Sequence, residues 1–327
     1  DGARPTEDIY FLESAAPALR QQGAIVERFD TRRYHLPTRW ALRRLAGANL
    51  LIVRSLGERW VRLLERHRER FGLIVYLIDD DLGAVTRTDG LPAAYVARLS
   101  GLAMRQPALL ALADEVVACC EALVAQLGRE HANVSLLTPP MLAAAMKPAD
   151  FTQPDWTIGY HGTRAHRDDI AHLAPALTSV MESHPRVRLE VMMGRHVPDA
   201  LAGIDRLEAP EALPWKAFQH YQATRRIQIG LAPLLETPFN RGKSWIKFLD
   251  ISAMGGVGIY SRRAPYTEIV EHGVDGLLVE DDPADWQVAL ERLLGDPKAT
   301  EAMAERALQK ARDIGAVEEC TNFWRSR

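Results

Sequence analysis

Trp156-Thr157-Ile158-Gly159-Tyr160-His161-Gly162-Thr163-Arg164-Ala165-His166 reads as a β-strand over Trp156 to Tyr160 that ends in a glycine turn. A helix follows, because Ile170, Leu173, Leu177 and Val180 recur at helical spacing, with Pro175 placed to kink it. Strand, turn and helix in this order form the repeating unit of parallel sheets covered by helices, and the pattern extends both ways along the chain. Downstream, strands are expected at 187–192, 227–232, 257–260 and 276–279, after which the chain to about Arg312 reads as two amphipathic helices. Upstream, strands are expected at 24–29, 49–54, 73–78, 115–118 and 134–137, with helices between most of them. The class is α/β, with one doubly wound domain in the first half and no internal repeat.

The 327 residues are about twice a typical domain. Thr138-Pro139-Pro140 and Lys147-Pro148 break regular structure near the midpoint, so the domains are set at 1–148 and 149–312, with a tail, 313–327, whose Phe323-Trp324 folds back on the first. Two Rossmann-like halves joined this way face each other across a cleft, and ligands in such sheets bind beyond the carboxyl ends of the strands. A hydrophobic fraction of 47% with 25% charged residues supplies two cores and excludes a disordered chain. The net charge of -3 offers no general attraction to nucleic acid, which removes that partner class. Cys119, Cys120 and Cys320 have neither disulfide-framework nor metal-ligand spacing, so no metal site is expected and a reducing, cytoplasmic setting fits. No apolar run reaches the roughly 20 residues of a spanning helix, and no signal peptide is read. Membrane association is therefore expected to be peripheral, at the inner face. The basic stretch 59–71 either packs its apolar stripe on the sheet or touches anionic lipid. The chain opens at Asp1 rather than methionine, which leaves open a first strand ahead of it.

Four loops carry unusual chemistry. In the turn after Tyr160, Gly162 allows close backbone approach, Thr163 and the helix start offer donors, and Arg164 can grip a phosphate through two nitrogens. The same residues also suit a capping turn with a surface arginine. Asn240-Arg241-Gly242-Lys243-Ser244-Trp245-Ile246-Lys247-Phe248-Leu249-Asp250 is a basic loop entering a helix. Lys243 can meet a diphosphate, Lys247 lies one turn later on the same face, and Asp250 can accept from a ribose diol. A solvated basic loop is the plainer alternative. It is no Walker loop, since Thr237 stands where the upstream glycine belongs. Asp79-Asp80-Asp81 ends a strand, and such a cluster raises at least one carboxyl pKa unless a cation or sugar hydroxyls meet it. A helix cap with solvated neighbours is the plainer, less favoured alternative.

The fourth loop is Ser261-Arg262-Arg263-Ala264-Pro265-Tyr266-Thr267-Glu268-Ile269-Val270, followed by Gly273, Gly276 and Leu277-Leu278-Val279. Together with the basic loop it resembles the donor-binding domain of retaining glycosyltransferases of family 4, where an E-I-V-x-x-G-x-x-G-x-L-V run follows a helix, a strand and a small-residue turn. Leu293-Leu294-Gly295-Asp296-Pro297 and Trp286 are similar to that family's closing helices, and Asp114-Glu115-Val116-Val117-Ala118 resembles segments of its first domain.

The resemblance implies a GT-B fold in which the second domain holds a nucleotide-sugar donor as co-substrate and the first a glycan or lipid-linked acceptor. It implies no separate cofactor, no metal and retention at the sugar carbon. Arg164, Lys243 and Lys247 would then stabilise the departing diphosphate. Gly162, Thr163, Asn240, Ser244, Asp250, Tyr266 and Glu268 complete the expected donor site. Two departures stand out. The family's pair of glutamates with seven residues between them falls at Gly242 and Asp250, and Asn240, Lys243 and Ser244 would replace the missing contacts. The family's first-domain histidine has no match, and Asp79 or Asp80 takes its place as the group that orients an acceptor hydroxyl or meets positive charge on the sugar. A non-catalytic nucleotide-binding module and a sugar-nucleotide epimerase are the competing functions.

Overall fold

A computed structural model describes residues 5–31, 39–143 and 147–327; Asp1 lies outside them. The chain forms two compact units. The first contains Thr6–Pro140, Arg241–Ser244 and Val317–Arg327, and the second contains Met141–Asn240 and Trp245–Ala316. The change of unit at Pro140 falls eight residues before the boundary drawn from the sequence, which was 148. The four-residue return at Arg241–Ser244 has no compositional signal and was not foreseen.

The first unit is built on a parallel sheet, β1 (Leu50–Val53), β2 (Ile74–Ile78), β3 (Glu115–Ala118) and β4 (Val134–Leu136), arranged in chain order. Every residue of β2 and β3 is buried, as a strand covered on both faces requires, and this is why β2 and the Val116–Ala118 part of β3 read as apolar runs. Helix Glu58–Arg66 turns Trp60, Val61 and Leu64 inward and leaves Arg62 and Arg66 exposed. Helix Val317–Arg325 ends the unit: Trp324 donates from its indole to the Tyr10 carbonyl at 2.7 Å, and beyond it the guanidinium of Arg327 grips Glu115 at 2.6 and 2.7 Å. Burial alone would raise the Glu115 carboxyl; the hydrogen bonds from Arg327 and Ser135 hold it below its ordinary value instead.

The strand expected at 24–29 does not form. That segment is irregular, with Ile25 91% exposed, so its alternating side chains have no face to bury and nothing repays the cost of extending it.

The second unit holds six parallel strands, β5 (Trp156–Tyr160), β6 (Val187–Val191), β7 (Leu207–Glu208), β8 (Ile229–Ala232), β9 (Val257–Ser261) and β10 (Leu277–Val279), in the order β10-β9-β8-β5-β6-β7. The chain runs outward from β5 to β7, then returns to the other side of β5 for β8. The order therefore reverses between β5 and β8, the position where open parallel sheets form a binding crevice. β7 escaped the sequence reading because two residues, one of them Glu208, carry no periodicity. The helix expected after β5 is two helices, Arg167–Ala171 and Ala174–Ser183; Pro175 lies in the first turn of the second, where its missing N–H costs nothing. Ile158, Leu189, Ile229 and Val257 pack from the strands against Leu177, Val180, Trp286 and Leu290. Helices Pro283–Gly295 and Pro297–Ile314 close the unit, the first packing on Ala174–Ser183 and the second on Ile246–Ala253. No helix among the described residues is long and apolar enough to cross a membrane.

Candidate functional site

In the first unit the site residues gather at the carboxyl ends of β1 and β2. Arg54, the residue after β1, adopts a φ of 60°, a left-handed conformation that is uncommon outside glycine and costs on the order of 1 kcal/mol or more. Its N–H is still bound to the Leu77 carbonyl at 2.8 Å, so the strand ladder fixes it there. Its guanidinium pairs with Asp80 through Nη2 and lies 3.1 Å from Asp79 Oδ1 through Nε. Lys243 Nζ donates to the other Asp80 oxygen at 2.6 Å, and Thr6 Oγ1 donates to Asp79 Oδ2 at 2.6 Å. The third carboxylate is different. Asp81 accepts the Gly83 and Ala84 N–H groups at 3.0 Å each, which caps the 3-10 turn Gly83–Arg87, so it is the structural member of the three.

Burial raises Asp79 above the ordinary carboxylate range, with Arg54 opposing and Asp80 reinforcing the shift. Arg54 is raised as well, chiefly by Asp79 and despite its own burial. Burial and the Asp80 charge raise Tyr95, which places a phenol beside the same carboxylate. Burial raises the Tyr10 hydroxyl well above its ordinary value, with Ser244 opposing the shift. Three buried polar atoms here, Arg54 Nε, Ser55 Oγ and Asp79 Oδ1, make no hydrogen bond among the described residues; the Arg54–Asp79 approach is close but poorly angled. Unsatisfied groups of this kind are costly and rare, and their gathering at the strand ends marks a place where a polar ligand would supply the partners. Gly242 also belongs to this unit: a Cβ there would lie 3.0 Å from both Asp81 Cβ and the Asp81 backbone nitrogen, a tight fit that would need Asp81 to shift by a few tenths of an ångström.

In the second unit the site residues lie at the sheet's reversal. Gly162 follows β5 at a point where a Cβ would strike the Tyr160 ring at 2.7 Å. Thr163 and Arg164 beside it are exposed. Lys247, on helix Ile246–Ala253, donates to the His161 carbonyl and stands 5.3 Å from the centre of the Tyr160 ring. The loop after β5 and the helix after β8 therefore converge, bringing Lys247 to the turn that holds Gly162, Thr163 and Arg164.

The other donor-site candidates are spread out. Asn240 is buried and donates to Asp169 Oδ1 at 3.0 Å and the Leu235 carbonyl at 2.9 Å, while Asp169 also accepts from the Leu235 N–H at 2.8 Å and bonds His166 at 2.8 Å. Asn240 thus holds the loop after β8 together. Asp250 is buried, with one oxygen taken by Gln222 at 2.7 Å. Tyr266 is buried against Tyr260, ring centres 5.0 Å apart, whereas Glu268 is exposed.

A buried cluster escaped the sequence reading altogether. Glu190, in β6 and 2% exposed, bonds His161 Nε2 at 2.7 Å, accepts from the Tyr221 hydroxyl, and pairs with Arg225 at 2.7 and 2.9 Å. The available signal was the alternation Val187-Arg188-Leu189-Glu190-Val191, whose two charged residues share the face opposite the three apolar ones. Arg54 and Ser55 were missed because their contacts depend on strand pairing rather than local spacing, and Tyr95 because it lies on a separate helix, Ala93–Ala103. No group of three His, Cys, Asp or Glu among the described residues is arranged to hold a metal ion.

Neither any family model nor any curated protein sequence matches the chain. Solved structures do. Sucrose-phosphate synthase from Thermosynechococcus elongatus superposes with a TM-score of 0.60 at 18% identity, covering 82% of this chain and 69% of that one. HepE of Anabaena in complex with UDP-glucose gives 0.58 at 14% identity, over 84% and 76%. A variant of S. aureus TarM in complex with UDP, fondaparinux and α-GlcNAc-glycerol gives 0.57 at 10%, over 80% of this chain and about half, 51%, of that one. At these identities the likeness shows the fold, which is that of the GT-B glycosyltransferases.

Proposed function

We propose that the protein is a glycosyltransferase that moves a sugar from a nucleotide-activated donor to a glycan or other hydroxyl-bearing acceptor. The observation that carries this reading is the convergence of Lys247 on the turn after β5 at the sheet's reversal point, within a GT-B fold. Gly162, Thr163, Arg164 and Lys247 would receive the donor's diphosphate, and their fixed charges would offset the negative charge that grows on it as the glycosidic bond breaks. HepE and the TarM variant, both solved with UDP or a UDP-sugar, support a nucleotide in this role.

The cluster of Arg54, Asp79 and Asp80 is assigned to the acceptor. Carboxylates accept hydrogen bonds from hydroxyls, and burial raises Asp79, which makes it a better proton acceptor than an ordinary carboxylate. Lys243 is held by Asp80 within the first unit. We further propose retention without a metal, the departing phosphate taking the acceptor's proton on the same face of the sugar. One finding favours the rival reading of a non-catalytic module: Asn240, expected to replace a missing sugar contact, is engaged internally by Asp169 and the Leu235 carbonyl.

Thermal-shift measurements with UDP, GDP, dTDP, CMP and ADP test the pocket, since a ligand at 100 times its dissociation constant adds about 2.7 kcal/mol. Stabilisation by one nucleotide, followed by slow hydrolysis of the matching nucleotide-sugar, is the expected result. Binding without any release of sugar favours the non-catalytic module, and silence across all five in a folded protein overturns both readings.

A further inference from the structure

His161 is held at both ends. Its ring bonds the buried Glu190 carboxylate, and its carbonyl oxygen accepts from Lys247. An ionised carboxylate only accepts, so His161 Nε2 carries the proton and the tautomer is fixed. Tyr221 stands edge-on to the imidazole at 5.7 Å and Phe218 at 6.4 Å, which closes off other rotamers. The next residue is Gly162, whose backbone has the widest freedom of any residue, so the geometry of the turn depends on what anchors its neighbour. Glu190 lies between Leu189 and Val191 in a strand buried at both, where an apolar residue would serve packing alone at lower desolvation cost.

We propose that Glu190 is a positioning residue for the anion-binding turn: by fixing His161 it fixes the carbonyl that holds Lys247, so that residues 162–164 and the Lys247 ammonium meet a diphosphate in one preorganised arrangement. This rests on the reading that these residues receive the donor's diphosphate. Tyr221 and Arg225 act through Glu190: Tyr221 donates to the same oxygen, Oε1, that bonds His161, and Arg225 holds the other, Oε2.

The test compares the full-length wild type with Glu190→Gln by calorimetry, using UDP, GDP, dTDP and ADP beside the matching nucleosides, which lack the phosphates. In folded Glu190→Gln the diphosphate should bind about tenfold or more weakly, while the nucleoside stays within about twofold of wild type. Tyr221→Phe keeps the ring and both charges and removes a single donor; it should weaken the diphosphate about two- to fivefold with the same selectivity, and it provides the answer if Glu190→Gln does not fold. A purely structural role predicts a lower melting temperature with diphosphate affinity unchanged, or diphosphate and nucleoside weakened alike, and either outcome overturns the proposal. If the wild type binds none of the four diphosphates, the donor reading itself fails; if it binds one and both variants match it, only the positioning role fails.

Discussion

Acid should destabilise the second unit through Glu190. Burial alone would raise this carboxyl, but hydrogen bonds from His161 and Tyr221 and the charge of Arg225 overcome it and bring it from an ordinary 4.5 to about 2. A carboxyl depressed in the folded state binds fewer protons there than in the unfolded chain, so its contribution is complete above about pH 4.5 and is lost as pH falls toward 2. The difference corresponds to about 3 kcal/mol at roughly 1.4 kcal/mol for each tenfold change in proton affinity. Denaturant-dependent hydrogen exchange of a peptide covering 187–192 confines the measurement to β6, which matters in a chain of two units. With Glu190→Gln as the non-titrating reference, the stability gap between wild type and variant should narrow by about 3 kcal/mol from pH 6 to pH 2. A gap that stays constant over that range would refute the claim that the network stabilises the ionised form.

Asp80→Asn keeps the shape of the acceptor cluster but removes the charge that holds Arg54 and Lys243; turnover at saturating donor should fall about tenfold or more, and undiminished turnover would end the acceptor assignment. Trp286→Ala empties the most voluminous fully buried side chain and orphans the Glu280 carbonyl that its indole reaches at 2.8 Å, so thermal unfolding should report a loss of about 3–5 kcal/mol. Gly255→Ala should cost more than about 1 kcal/mol by the same measurement, because its φ of 80° is left-handed and a Cβ would lie 2.5 Å from the Ala149 nitrogen.

The strands of the second unit were legible because buried parallel strands are written as short apolar runs bounded by turns, the form of β5, β8, β9 and β10, while β6 shows apolar residues in alternation. The segment 24–29 has a similar alternation, yet whether a strand forms depends on a partner edge that no local pattern encodes. Asp79, Asp80, Gly162 and Lys247 could be singled out because clustered charge and turn glycines are visible in one dimension. Glu190 could not, since its partners His161, Tyr221 and Arg225 are separated from it by 29 to 35 residues and meet only when β5 and β6 pair. Asn240 shows the opposite failure: its place in a basic loop pointed to a ligand, while the fold uses its amide to tie down Asp169.

Cys119, Cys120 and Cys320 are all buried as free thiols, and all three fall in the first unit. Cys119 is raised well above its ordinary value, first by its hydrogen bond with Cys120 and then by burial, and burial raises Cys320 too, so reactive thiolate is scarce as well as sheltered. A thiol-directed alkylating reagent should therefore mark this protein only when the first unit opens, and the second unit, which has no cysteine, should stay silent. Labelling rate then becomes an intrinsic clock for one half of the molecule, readable by mass without adding any probe.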